Sequence, residues 1–199
     1  MASNGISMTE KQSSYTKQHG TLPPPTFKHP LREPYTLITI AAIRECLDLT
    51  LPLHAAVFTC LTTMFFAVAC TGEFTIPNLK AFNPVRHVTR TGVSMQQDRN
   101  GLQMTCFRLP WMKKSPIGEE VNWAKQKGPH DPEEALNNHF HVNDPPAAIP
   151  LFAYHSKTSF TPLTCSKFLK VLNTTITTAG LPPLKGHGIR IGATLEYLL

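Results

Sequence analysis

No apolar run in the 199 residues reaches the roughly 20 that a bilayer-spanning helix needs. The longest, Leu53 to Cys70, carries His54, Thr59, Thr62 and Thr63 and lacks basic flanks, so a helix central to a soluble core explains it better than a membrane span. The first twenty residues hold no apolar segment between a basic start and a cleavage site, and a nuclear or cytoplasmic protein that is not secreted is expected. Cysteine is scarce and odd in number: Cys46, Cys60, Cys70, Cys106 and Cys165 include no pair at zinc-ligand spacing and read as reduced, buried thiols. Acidic residues are few too. There are 13 against 19 Lys and Arg, a net charge of +6, and none lies between Asp144 and Glu196. That balance favours a polyanionic partner over a cationic one. Repeats and low-complexity tracts are missing, which leaves no basis for a solenoid.

A hydrophobic content of 41% is enough for one sizeable core. Residues 1–34 are polar and then Pro-rich and are expected to be a disordered tail and linker, with one domain over 35–199. Thr36 can cap a helix to about Asp48 with Leu37, Ile40, Ile43 and Leu47 on its inner stripe. Pro52 suits the first turn of the long apolar helix, which Gly72 ends or kinks. Glu73 to Pro77 starts a short new element. Val93–Gln97 and Leu102–Leu109 flank Arg99-Asn100-Gly101, whose Asn-Gly pair predicts a tight hairpin turn, and Glu119–Ala124 adds a third strand. Asp131-Pro132-Glu133-Glu134 reads as a capping box opening a helix to about His139. A Pro-rich loop, Asn143 to Pro150, leads to an extended Leu151–Tyr154. Thr164 caps a helix from Cys165 to Thr178 closed by Gly180. The expected class is α+β, mainly α, with a small three-stranded antiparallel sheet.

Two side-chain groupings carry chemistry. In Gly186-His187-Gly188-Ile189-Arg190 the imidazole and guanidinium are three apart and share a helix face. A guanidinium fork matches two phosphate oxygens, and an imidazole can move a proton at the same phosphorus; the alternative is a helix start with two solvated polar side chains. His139, His141 and Asp144 are a candidate metal cluster, against which stands a solvated helix end beside a Pro-rich loop, and no metal is expected.

Taken together, the Gly72-Glu73-Phe74 corner, Leu109-Pro110 followed by Lys113, the Pro-rich loop into Leu151-Phe152-Ala153-Tyr154, and Gly186-His187-Gly188-Ile189-Arg190 resemble the catalytic domain of tyrosine recombinases, including integrases of eukaryotic mobile elements. The resemblance spans roughly Glu33 to Leu199 and implies a mainly helical catalytic domain acting in DNA recombination or integration. There a tyrosine attacks a DNA phosphodiester, two arginines hold its free oxygens, a lysine protonates the leaving oxygen and a histidine manages the tyrosine proton. It assigns Arg190 as a phosphate clamp, His187 as the acid/base and Lys113 as the leaving-group acid, with Lys114 as the alternative. No cofactor is implied. Duplex DNA is the implied partner, with self-association on DNA and neither a membrane nor a small-molecule substrate. Lys114, Lys157, Lys167, Lys170 and Lys185 are the expected backbone contacts.

Two positions depart from the pattern. The family's first arginine stands three residues before the glutamate, where this chain has Cys70, which cannot fork onto a phosphate. The nucleophilic tyrosine lies well downstream of the His-x-x-Arg helix. Tyr197 is two turns past Arg190, about 10 Å along the axis, and reads as a packing residue facing the core. The expectation is therefore a domain truncated at its C-terminus, inactive in strand transfer but able to bind duplex DNA. A basic interaction domain that keeps the fold without DNA contact is the alternative.

Overall fold

Thr36 begins the first helix as its side chain accepts the Thr39 N–H at 3.1 Å, covering one of the amides that a helix start leaves unpaired. The computed structural model describes residues 33–113, 115–157 and 159–199; most of the tail expected over 1–34, and Lys114, lie outside them. Helix α1 (Leu37–Glu45) buries Ile40 and Ile43. Helix α2 (Pro52–Phe66) starts on Pro52 as expected and is buried on every side from Ala55 to Phe66. Such a helix cannot have a polar face, and two of its threonines return their hydroxyls to backbone carbonyls, Thr59 to Ala135 O at 2.6 Å and Thr62 to Thr59 O at 3.1 Å, while the buried Thr63 hydroxyl has no partner among the described residues. Each large apolar side chain buried here contributes about 1.5–3 kcal/mol of transfer free energy. Among the described residues no helix is long and apolar enough to cross a membrane.

Helix α2 stops at Phe66, four residues before the Cys70 limit expected from hydropathy. The Ala69 N–H reaches back to Met64 O at 2.9 Å and the Val68 N–H to Phe65 O at 3.1 Å, the paired closure that needs a left-handed residue between them. Val68 takes that position at φ 52°, where glycine is usual and a β-branched residue is strained. Helix α3 (Thr71–Phe74) follows, and Ile76 then bridges Thr164 in parallel.

Strands β1 (Val93–Gln97), β2 (Gln103–Leu109) and β3 (Glu119–Ala124) form the antiparallel sheet in the order β1-β2-β3. Its inner face puts Phe107 against Trp123 and Phe74, with ring centroids 5.7 and 5.5 Å apart. The β1–β2 turn departs from the Asn-Gly expectation. Only Gly101, at φ 83°, is left-handed, because the Asp98 carboxylate accepts the N–H groups of Asn100 at 2.8 Å and Leu102 at 2.7 Å and closes a three-residue loop instead of a two-residue one.

Helix α4 (Pro132–Val142) is capped by Asp131, which accepts the Glu133 N–H at 3.0 Å. The reciprocal half of the expected capping box is not formed, since the Asp131 N–H is taken by Gly128 O at 3.2 Å. Strands β4 (Tyr154–Ser156) and β5 (Ser159–Thr161) make a short hairpin where only an extended segment was expected. Helix α5 (Cys165–Thr178) is capped by Thr164 and buries Phe168, Leu172 and Ile176; Gly180, at φ 68°, follows it.

Helix α6 (His187–Leu198) has two unlike faces. On one, Gly188 and Gly192 lie under residues 33–35: the Tyr35 N–H donates to Gly188 O at 3.1 Å, and a Cβ at Gly192 would run into the Tyr35 backbone carbonyl. Only glycine permits backbone to approach this closely. The other face carries His187 and Arg190, both exposed.

Candidate functional site

With its glycine face held under residues 33–35, α6 turns Arg190 toward the corner between α2 and α3. The Arg190 guanidinium Nη1 donates to Cys70 Sγ at 3.0 Å, joining residues 120 apart in sequence. Glu73 braces the same corner from the other side, its carboxylate accepting the Cys70 N–H at 2.7 Å. The bond to Cys70, with Glu73 nearby, holds the Arg190 pKa above its ordinary value, so the guanidinium stays charged.

A cavity of about 430 Å³ opens beside this corner, lined in part by Cys70, Glu73, Arg86, His87, Trp111 and Lys113. Lys113 arrives on the β2–β3 loop. That loop is pinned by reciprocal Met112 and Ser115 backbone bonds of 3.0 and 3.1 Å and folds back at Gly118, whose φ of 79° and closeness to the Leu109 and Pro110 carbonyls exclude a side chain. Lys113 is exposed, as His187 is.

Cys70 therefore connects Arg190 and the Lys113 cavity. His187 sits in the first turn of α6, three residues before Arg190, and makes no side-chain hydrogen bond among the described residues. Gly186 provides no side-chain cap; the Gly188 and Ile189 N–H groups donate instead to Lys185 O at 2.8 Å and Gly186 O at 3.3 Å. Lys157 occupies the β4–β5 turn, Lys167 and Lys170 are exposed on α5, and Lys185 is exposed before α6; none of them lines the cavity. Lys114 falls outside the described residues.

Tyr197 stands elsewhere. Its hydroxyl donates to Phe66 O at 2.8 Å, at the end of α2, and the residue is 58% exposed. This corrects the core-facing placement: the phenol serves one of the carbonyls that a helix C-terminus leaves unpaired. Burial around the hydroxyl, with Glu196 nearby, raises its pKa.

The His139 cluster is not a solvated helix end. His139 is fully buried, with Nε2 3.0 Å from Leu151 O and Nδ1 3.0 Å from the Asn143 side-chain amide. That amide also donates to Pro52 O at 2.9 Å, while its oxygen accepts the His155 N–H at 2.9 Å. Burial lowers the His139 pKa to about 4, and the neutral ring donates through Nε2. Asp144 pairs with Arg90 and His141 is exposed. Among the described residues no group of three or more His, Cys, Asp or Glu is placed to hold a metal.

Sequence reasoning overlooked Arg86 and Trp111. The Arg86 guanidinium carbon lies 5.3 Å from the centre of the Trp111 ring. Each residue is unremarkable in its own segment, and only the fold brings them together; the one local hint was Trp111 just ahead of Lys113.

No protein-family model matches the chain, and no curated protein does. Among solved structures, the FLP recombinase–Holliday junction complex is similar, with a TM-score of 0.54 and 12% identity over 81% of this chain. The fold is recombinase-like. A recombinase is also the kind of protein that the sequence motifs resemble. The match covers 38% of the FLP chain, so this chain corresponds to well under half of that protein. At 12% identity the likeness is one of fold, and the roles of individual side chains rest on the local geometry described above.

Proposed function

We propose that this chain is a DNA-binding domain derived from a DNA breaking-and-rejoining enzyme and has lost strand cleavage. The observation that carries the reading is the Arg190–Cys70 contact: on a recombinase-like fold, the clamp arginine meets the position where the resemblance requires its twin, beside a cavity that holds Lys113. Arg190 would grip a backbone phosphate, His187 would lie alongside it, and Lys113 would face the phosphate from the β2–β3 loop. Lys114, Lys157, Lys167, Lys170 and Lys185 would add contacts to neighbouring phosphates. An origin in a mobile element, a nuclear or cytoplasmic location and self-association on DNA belong to the same reading.

Titrating the chain onto labelled duplexes of unrelated sequence at low ionic strength tests it. Binding is expected with little sequence preference, and log K should fall with log salt by about 0.9 for each phosphate contacted. No binding, or binding indifferent to salt, overturns the reading and leaves the basic interaction domain, which the loss of a guanidinium at Cys70 favours.

Loss of cleavage rests on Tyr197, whose hydroxyl is engaged by Phe66 O, and on Cys70, since removing one preorganised donor from such a site costs roughly 10²–10³ in rate. Incubation with nicked duplexes followed by denaturing electrophoresis should show no covalent adduct. Trapping through Tyr197 would overturn that part of the proposal.

A further inference from the structure

We propose that Arg86 is a second phosphate-holding guanidinium of the Lys113 cavity, supplying the charge that Cys70 cannot. The inference rests on the DNA-binding reading and adds to it a residue that neither the motif nor its spacing identifies.

Arg86 lines the same cavity as Cys70, Glu73 and Lys113. Its backbone is set by a turn built on Asn83: the Arg86 and His87 N–H groups both donate to Asn83 O at 2.9 Å, and the Asn83 side chain accepts the Val85 N–H at 2.9 Å. The segment is then tied down at Thr89, which bridges Pro150. The side chain is oriented by its cation–π contact with Trp111, a residue 38% exposed. The contact is not a hydrogen bond, and the Arg86 guanidinium has no hydrogen-bond partner among the described residues, so its N–H donors stay available.

Arg86 makes no ion pair among the described residues, so its charge is not neutralised by a protein carboxylate. The carboxylate in the cavity wall, Glu73, is bonded to the Cys70 N–H and lies on the Arg190 side. Arg86 and Lys113 thus line the cavity as two cations against one engaged carboxylate, and Arg190 reaches the same corner through Cys70. A tetrahedral phosphodiester with two free oxygens is the anion that Arg86 in the cavity wall and Arg190 at the Cys70 corner would share. The ligand is a backbone phosphate of duplex DNA, and the step is binding alone, with no bond made or broken.

The test is the salt dependence of duplex binding by the whole chain and by Arg86→Ala, Arg86→Lys, Arg190→Ala and Arg86→Ala/Arg190→Ala, each checked for an unchanged thermal melt. Arg86→Ala should weaken binding about tenfold at low salt, as expected for loss of a charge-assisted hydrogen bond, and make the salt slope shallower by up to about 0.9. Arg86→Lys should restore the slope and only part of the affinity. The double variant should lose less than the product of the two single losses, because both side chains act on one phosphate. Unchanged affinity and slope in Arg86→Ala, while the parent chain binds normally, would overturn the proposal and leave the DNA-binding reading intact. Strictly multiplicative losses would place the two arginines on different phosphates and overturn it as well. Absence of binding by the unaltered chain removes both readings. Should Arg86→Ala melt early, Arg86→Lys decides, since a charge-preserving replacement with no recovery of slope is incompatible with a phosphate contact.

Discussion

The His139–Asn143 pair and the Arg190–Cys70–Glu73 corner are both polar clusters held by long-range contacts, yet they differ in how much hydrogen-bonding capacity the protein itself uses. At His139 every ring nitrogen has a partner, and the Asn143 amide joins α4 to Pro52 and His155. Arg190 gives one described hydrogen bond, to a thiol, out of the five N–H groups a guanidinium carries. Complete internal satisfaction under burial marks a structural lock, whereas exposed surplus donors are free to meet water or a ligand. Histidine count and charge could not separate the two, since both clusters look equally chemical as a string of residues.

The change expected to separate them most is His139→Ala. It removes a buried ring 5.7 Å from Phe152, takes the donor from the Leu151 carbonyl and takes one of the acceptors from the Asn143 amide, which keeps Pro52 O. A loss of roughly 3–5 kcal/mol in denaturant unfolding is expected, with duplex affinity of the folded fraction unaltered. A loss of affinity at unchanged stability would mean that the lock belongs to the site.

Acid should act on the same cluster. The folded His139 pKa is held near 4, below about 6.5 in an unfolded chain, so the unfolded state takes up a proton first as pH falls. The stability from the neutral ring is therefore fully present above pH 6.5 and is lost progressively between 6.5 and 4, by about 3 kcal/mol in all. Unfolding curves across that window should show this loss in the parent chain. In a His139→Gln variant that still folds, the part owed to this ring should disappear.

Arg190→Ala sits at the opposite pole. Its side chain is exposed, so stability should shift by no more than about 0.5 kcal/mol. Duplex affinity should fall about tenfold at low salt, measured by equilibrium binding. A large drop in melting temperature would show that the Cys70 contact holds the α2–α3 corner together, and would erase the contrast with His139.

Much of the fold could be read from local chemistry. Thr36, Asp131 and Thr164 announce their helices because a cap is a short-range interaction, and the three strands of the sheet show in the apolar pattern on either side of Gly101. The end of α2 could not be read, since a left-handed valine has no sequence signature and hydropathy runs on past it. Strands β4 and β5 were too short to show a period. At the site, His187, Arg190 and Lys113 were visible through the motif resemblance. Arg86 and Trp111 were not, because their meeting depends on how the segment after α3 crosses the β2–β3 loop.

The seating of Tyr35 on Gly188 and Gly192 has a consequence for the order of assembly. This contact spans more than 150 positions of the chain, so it adds to the contact order on which folding rates depend. During synthesis, residues 33–35 can find their final place only after residue 192 has left the ribosome. Until then α1, which packs on the equally late helix α5, has its leading edge unanchored, a stage at which apolar surface is open to wrong partners. The glycine face of α6 thus acts as a late latch, and the Arg190 corner takes its final shape only when that latch has closed.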